Sequence, residues 1–314
     1  MKNIVKILYG VLAIAIGICF FCMVMLRKNN SKEMEDVVFV EQMTDLFVQD
    51  KEETSTEPFD HFLTGTGEMK SVDITIDGIP CMLYYMNNYE KHPILILQHG
   101  MTSKKEDMQP LSIAFAEKGF LVVTPDAVAH GELKDDKEWT VPEMIQKTSA
   151  NFDCILNYFA QSNYVNMEKI AMSGISLGGL SVLHYSANGS YNPTVIATMC
   201  ATPKYEDLMM SQVATSYVKK GKTIAEGDEE KLAVLDDMYT QMSPYETILM
   251  DTNTCYYLMC GEQDDVVPCG GNVSLYDAMK DKAQDITLKV KQGQGHTVTE
   301  EDLWEVLSYV VAHI

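Results

Sequence analysis

The stretch Ile170-Ala171-Met172-Ser173-Gly174-Ile175-Ser176-Leu177-Gly178-Gly179 constrains this chain more than any other. An apolar strand breaks there into Gly-x-Ser-x-Gly-Gly and then into the helical run Leu180-Ser181-Val182-Leu183-His184-Tyr185. A serine at the tip of a sharp strand-to-helix turn needs small neighbours on both sides, because Cβ atoms at 174 and 178 would collide where the backbone doubles back. Such a turn pushes Oγ of Ser176 outward and aims the first N–H groups of the next helix at any oxyanion formed beside it. A plain strand–helix turn with a capping serine would read the same way, so the context has to decide.

That context is an alternation of short apolar runs and helical segments. Runs at 94–97, 120–123, 170–172, 195–199, 255–260 and 286–290 read as strands, and 108–117, 144–160, 274–283 and 303–312 read as helices. Strands buried on both faces appear as continuous apolar runs, and the helices between them supply the crossovers of a parallel sheet. Ahead of them, 72–76 alternates, Asp77-Gly78 turns and 79–85 returns, which predicts a β-hairpin at a sheet edge. The fold class is α/β, a doubly wound and mostly parallel sheet, with one domain over residues 69–314. About fifty residues, 202–251, break the rhythm with helical pattern and no strand of their own. This predicts a helical lid insertion over the C-terminal ends of the strands, where α/β folds bind ligands.

Upstream, residues 1–30 contain an uncharged apolar run of about 20 residues, enough to span a bilayer. It is preceded by Lys2 and Lys6 and followed by Arg27 and Lys28. We expect an uncleaved N-terminal membrane anchor, with a cleaved signal sequence as the alternative. Residues 31–68 are acidic and polar and read as a stalk. The charges on the two sides, Lys2, Lys6 and the terminal amine against Arg27, Lys28 and Lys32, nearly balance and set no orientation; a short cytoplasmic N-terminus with an extracytoplasmic soluble domain is the default expectation. The chain of 314 residues carries a formal charge of −21, which opposes binding to a phosphate backbone, so nucleic acid is not expected as a partner. Of eight cysteines, Cys200 and Cys260 fall in apolar runs and read as small core residues. Outside the anchor there is neither Cys-x-x-Cys nor a His-rich cluster, so no metal site is expected. Cysteine usage leaves the compartment open.

A nucleophilic serine needs a base, a carboxylate that holds the base in one tautomer, and oxyanion donors. Past the run 255–260 comes Gly261-Glu262-Gln263-Asp264-Asp265-Val266-Val267-Pro268, which nominates Asp264 as the acid, with Asp265 as the substitute. A helix-capping aspartate is the plainer reading of either. Past 286–290 comes Lys291-Gln292-Gly293-Gln294-Gly295-His296, which nominates His296 as the base in the chain order Ser, Asp, His. The oxyanion donors are expected to be the backbone N–H groups of Leu177 and of Met101, in the loop Gln98-His99-Gly100-Met101-Thr102-Ser103. His99 is expected to orient that loop.

Together, His99-Gly100 with Ser103-Lys104-Lys105-Glu106, Asp126 with His130-Gly131, Gly174-x-Ser176-x-Gly178-Gly179, Gly261-x-x-Asp264-x-x-Val267-Pro268 and Gly295-His296 resemble one branch of the α/β-hydrolase superfamily, that of dienelactone hydrolases and prolyl-oligopeptidase-like serine esterases. The resemblance implies Ser176 as nucleophile, Asp264 as acid, His296 as base, Met101 and Leu177 as donors, and no cofactor. The branch often has an arginine between the Asp and His-Gly of its second loop, where this chain has Ala127-Val128-Ala129. The expected activity is cleavage of small carboxylic esters through an acyl-enzyme. An aminopeptidase or small-peptide amide hydrolase and a catalytically silent binding protein on the same fold are the alternatives. Oligomeric state is not readable from the sequence.

Overall fold

The computed structural model describes residues 59–225 and 227–314. The expected anchor, and the stalk as far as residue 58, lie outside the described residues. No helix among the described residues is long and apolar enough to cross a membrane.

The apolar runs assemble into one eight-stranded sheet. In chain order its strands are β1 (Met69–Ile76), β2 (Ile79–Met86), β3 (His92–Gln98), β4 (Leu121–Pro125), β6 (Val165–Ile175), β7 (Val195–Met199), β10 (Cys255–Gly261) and β11 (Asp285–Lys291). Their order across the sheet is β1-β2-β4-β3-β6-β7-β10-β11. The β1–β2 hairpin forms one edge, and both β1–β2 and β2–β4 are antiparallel. From β4 onward every neighbour is parallel. Parallel strands place all their C-terminal ends along one rim, and that rim carries the site.

Helices cover both faces. Helix α1 (Gln109–Ala116) sets Leu111 and Phe115 against one face, and α7 (Glu300–His313) adds Val306, Leu307 and Val310. On the other face, α2 (Val141–Phe159) contributes Phe152, Ile155, Leu156 and Phe159, α3 (Leu177–Asn188) contributes Leu180 and Leu183, and α6 (Gly270–Met279) contributes Leu275 and Met279. Two helix starts are fixed by reciprocal caps, Thr140 with Glu143 on α2 and Thr299 with Asp302 on α7. In each, the threonine hydroxyl and the acidic side chain satisfy N–H groups that the first turn leaves open.

Two expectations need correction. The folded unit begins before residue 69: Phe59–Phe62 is a 3-10 turn, and the Phe59 ring packs edge-on against Tyr85 and Phe159. Asp60 accepts hydrogen bonds from the Asn163 backbone and side chain and from the Ser162 hydroxyl. An aromatic followed by an acid carries no periodicity, so the segment reads as stalk until its partners are in place.

The insertion 202–251 is not purely helical either. It holds the 3-10 turn Tyr205–Met210, α4 (Glu229–Met242) and α5 (Tyr245–Ile248), but also strands β8 (Tyr217–Lys219) and β9 (Lys222–Ile224). These pair with β5 (Glu138–Thr140) into a second, three-stranded sheet. Lys220 and Gly221 both adopt positive φ, the conformation a two-residue hairpin turn requires. Strands three residues long leave no readable alternation, so the pattern showed only the helices.

Candidate active site

Ser176 sits between β6 and α3 with φ 52° and ψ −118°, a backbone conformation that non-glycine residues rarely adopt and that clusters at functional sites. Its N–H donates to the Met199 carbonyl and its carbonyl accepts from Leu180 N–H, so the turn is held from both ends. The close approach expected at the flanking glycines is present. A Cβ on Gly174 would lie 2.4 Å from the Gly178 carbonyl carbon, and one on Gly178 would lie 2.3 Å from the Gln98 carbonyl oxygen. The second contact presses the start of α3 directly against the loop after β3. Leu177 and Met101, the two proposed donors, therefore belong to segments in backbone contact.

His296 follows β11, and Asp264 lies in the loop after β10. His296 Nδ1 is 2.8 Å from Asp264 Oδ2, and His296 Nε2 is 2.9 Å from Ser176 Oγ. An ionised carboxylate only accepts, so Nδ1 carries the imidazole proton and Nε2 is left to accept from the serine hydroxyl. Asp264 is itself held: its Oδ1 accepts the N–H groups of Val266 and Val267 at 2.9 and 2.8 Å. Asp265, the substitute acid, makes no such contact with His296 among the described interactions. The three residues nominated from sequence thus form one hydrogen-bonded chain, although 120 residues separate Ser176 from His296.

The loop around the site is built from buried polar groups. His99 Nδ1 donates to the Gly100 carbonyl and Nε2 accepts the Ala127 N–H, so both ring nitrogens are occupied in orienting the loop. Burial holds the His99 pKa down at about 4, which keeps the ring neutral. Asp126 accepts the N–H groups of Lys105 and Glu132, and burial raises its pKa against those bonds. The Lys105 ammonium meets Glu132, Glu106, Asp73 and Asp126. Burial opposes that charge, but the surrounding carboxylates prevail and raise the Lys105 pKa. This network ties the loop after β3 to the loop after β4.

Two features were missed from sequence. Cys260, at the end of β10, is bonded to Cys269 at the start of α6, with Cα atoms 5.4 Å apart. The disulfide closes the loop that carries Asp264; Cys260 had read as a core residue because its run is wholly apolar. Cys200, just past β7, is the second. Its Sγ donates to the Thr297 carbonyl at 3.4 Å, and it lies within 4.8 Å of ligand-capable atoms of Asp264 and His296. The insertion also reaches the site: Thr223 Oγ1 of β9 lies 3.8 Å from Met101 Sδ.

The chain is similar to known proteins in family and in fold. Residues 108–310 match the model of the prolyl oligopeptidase family. YitV of Bacillus subtilis, which carries an esterase name, is 28% identical over 149 residues, covering 44% of this chain and 57% of its own length. Esterase YjfP of Escherichia coli is 24% identical over 237 residues, covering 71% of this chain and 89% of its own. Among solved structures, Est1E of Butyrivibrio proteoclasticus with bound ferulic acid superposes with a TM-score of 0.54 at 20% identity, covering 76% of this chain and 95% of that one. The Pyrococcus furiosus esterase Pf2001 gives 0.55 at 17% identity, covering 84% and 96%. These likenesses show the α/β-hydrolase fold. The family match over residues 108–310 shows more, and the chain belongs to the prolyl oligopeptidase family of serine hydrolases.

Proposed function

We propose that the protein hydrolyses small carboxylic esters through an acyl-enzyme on Ser176. The observation that carries this reading is the unbroken chain Ser176 Oγ, His296, Asp264 with links of 2.9 and 2.8 Å. In the proposed mechanism, Ser176 Oγ attacks the ester carbonyl carbon as His296 Nε2 takes its proton. Asp264 holds the Nδ1 proton in place and stabilises the imidazolium without being protonated. The tetrahedral oxyanion receives N–H bonds from Met101 and Leu177, each worth about a hundredfold or more in rate. Collapse expels the alcohol, which leaves with the proton held on His296. Water then enters, loses a proton to His296 and releases the acid, restoring Ser176. No cofactor takes part in this route.

The contact of Thr223 in β9 with Met101 brings the insertion to the loop that carries one proposed oxyanion donor, which supports a role for it in selecting substrate. We also propose that the apolar run at 7–26 tethers the domain outside the cytoplasm. The Cys260–Cys269 disulfide supports that placement, since such bonds persist in oxidising compartments.

The test is turnover of p-nitrophenyl esters of increasing acyl length and of aminoacyl p-nitroanilides by the full-length chain, beside Ser176→Ala. Ester turnover that falls with acyl length and vanishes in the variant is the expected result. Turnover of anilides alone would replace the esterase reading with the amide-hydrolase one.

A further inference from the structure

We propose that the rim of the sheet also forms an inhibitory site for a soft divalent cation of the zinc class, held by Cys200 Sγ, His296 Nδ1 and one oxygen of Asp264. Three strands adjacent in the sheet, β7, β10 and β11, each deliver one donor just past their C-terminal ends. One ligand-capable atom from each residue, a ring nitrogen in the case of His296, lies within 4.8 Å of the other two, with Cys200 and Asp264 buried and His296 half-buried, and Nδ1 is the ring nitrogen that faces Asp264. A tetrahedral zinc ion sets its ligands about 3.5 Å apart, given metal–ligand bonds of roughly 2.0 to 2.3 Å. Bringing the thiol in and opening the 2.8 Å contact between His296 and Asp264 therefore takes shifts of about an ångström each. Thiolate and imidazole select zinc over magnesium or calcium, which prefer all-oxygen cages.

The consequence for the site follows from the two imidazole nitrogens. Nδ1 faces Asp264 and Nε2 faces Ser176, so the cation enters on the Asp264 side. When Nδ1 binds it, the ring proton resides on Nε2, and the Cys200 thiol proton passes to solvent as the sulfur binds as thiolate. His296 then presents an N–H to Ser176 where it had presented a lone pair, and it can no longer take the serine proton. Bound zinc thus switches the site off without filling the space in front of Ser176. Cys200 needs no role in ester cleavage for this to happen. The inference rests on the catalytic reading of Ser176 and His296.

The experiment uses the full-length protein stripped with EDTA and compared with Cys200→Ser and Cys200→Ala, with Cys154→Ser as a control for thiols elsewhere. Zinc is titrated against p-nitrophenyl acetate hydrolysis and against labelling of Ser176 by a fluorophosphonate. We expect zinc to suppress both in the wild type and EDTA to restore them, with magnesium inert. Both Cys200 variants should need at least about tenfold more zinc, since losing even an outer-shell partner of a metal ligand costs that much, while Cys154→Ser behaves as wild type. Equal zinc sensitivity in wild type and both Cys200 variants would overturn the proposal, as would full wild-type activity in saturating zinc. A separate readout needs no turnover: cobalt(II) should give a near-ultraviolet sulfur-to-metal band in wild type and Cys154→Ser that is lost in Cys200→Ser. If the protein cleaves no ester but shows that band, the esterase reading fails and the cation site stands. If the band is absent from wild type, the cation site fails.

Discussion

Asp264 divides its two oxygens between different tasks: Oδ1 accepts the N–H groups of Val266 and Val267, while Oδ2 alone faces His296 Nδ1 at 2.8 Å. The carboxylate is therefore aimed before any substrate arrives. Asp264→Asn leaves the size unchanged but lets the amide satisfy the imidazole in the wrong tautomer. We expect kcat for p-nitrophenyl acetate to fall by about 10³- to 10⁴-fold with little change in KM. Asp265→Asn should stay within about threefold of wild type, a change well under 1 kcal/mol of barrier. Steady-state kinetics of the two variants side by side decides between the acids.

Closing the loop between Cys260 and Cys269, a separation of 9 residues, removes chain entropy from the unfolded state worth about 2 to 3 kcal/mol. Cys269→Ser should lower the melting temperature by about 5 to 10 °C for a domain of this size. Because the bond also steadies Asp264, kcat should fall more than KM rises. Calorimetry and kinetics of this variant, and of wild type with and without a phosphine reductant, measure both effects.

Burial holds His99, His130 and His184 at about 4, well below the ordinary histidine value of 6.5. For His130 the nearby His99 ring adds to the effect of burial. A group depressed on folding binds fewer protons in the native state than in the unfolded chain between those two values. Its contribution to stability is therefore full above pH 6.5 and is lost as the pH falls toward 4. For fully buried His99 the loss is on the order of 3 kcal/mol. Urea midpoints should drop steadily across that window, and His99→Gln should flatten the slope while costing stability at pH 7.

Gly178 is the closest approach between the serine turn and the loop after β3. A methyl group there would lie 2.3 Å from the Gln98 oxygen and 2.5 Å from the His99 oxygen, both backbone atoms that cannot swing aside. Gly178→Ala should cost about 2 kcal/mol or more of stability by overpacking. Its kcat should fall by at least about tenfold, because the Leu177 and Met101 N–H groups would be pushed apart. Thermal melts separate a folded but slow enzyme from one that does not fold.

How much of this was readable beforehand depends on whether each signal is local. Ser176, Asp264 and His296 each follow an apolar run that reads as a buried strand, so parallel-sheet geometry alone places them on one rim. The glycines at 174 and 178 announce close packing by their type. Other features have no local mark. Strands β5, β8 and β9 are three residues each, too short to alternate. The Cys260–Cys269 bond depends on where α6 begins relative to the end of β10, and the nearness of Cys200 to His296 depends on β7, β10 and β11 being neighbours. Phe59 became part of the core only through Tyr85 and Phe159, which come from other elements.

Phe59 and Asp60 also fix where the chain joins the domain. Tyr85 near the end of β2, Phe159 at the end of α2, and Ser162 and Asn163 just ahead of β6 all lie at the N-terminal pole of the parallel strands. Ser176, Asp264 and His296 occupy the opposite pole. A pull applied through the N-terminus would load the aromatic contacts around Phe59 and leave the serine turn untouched.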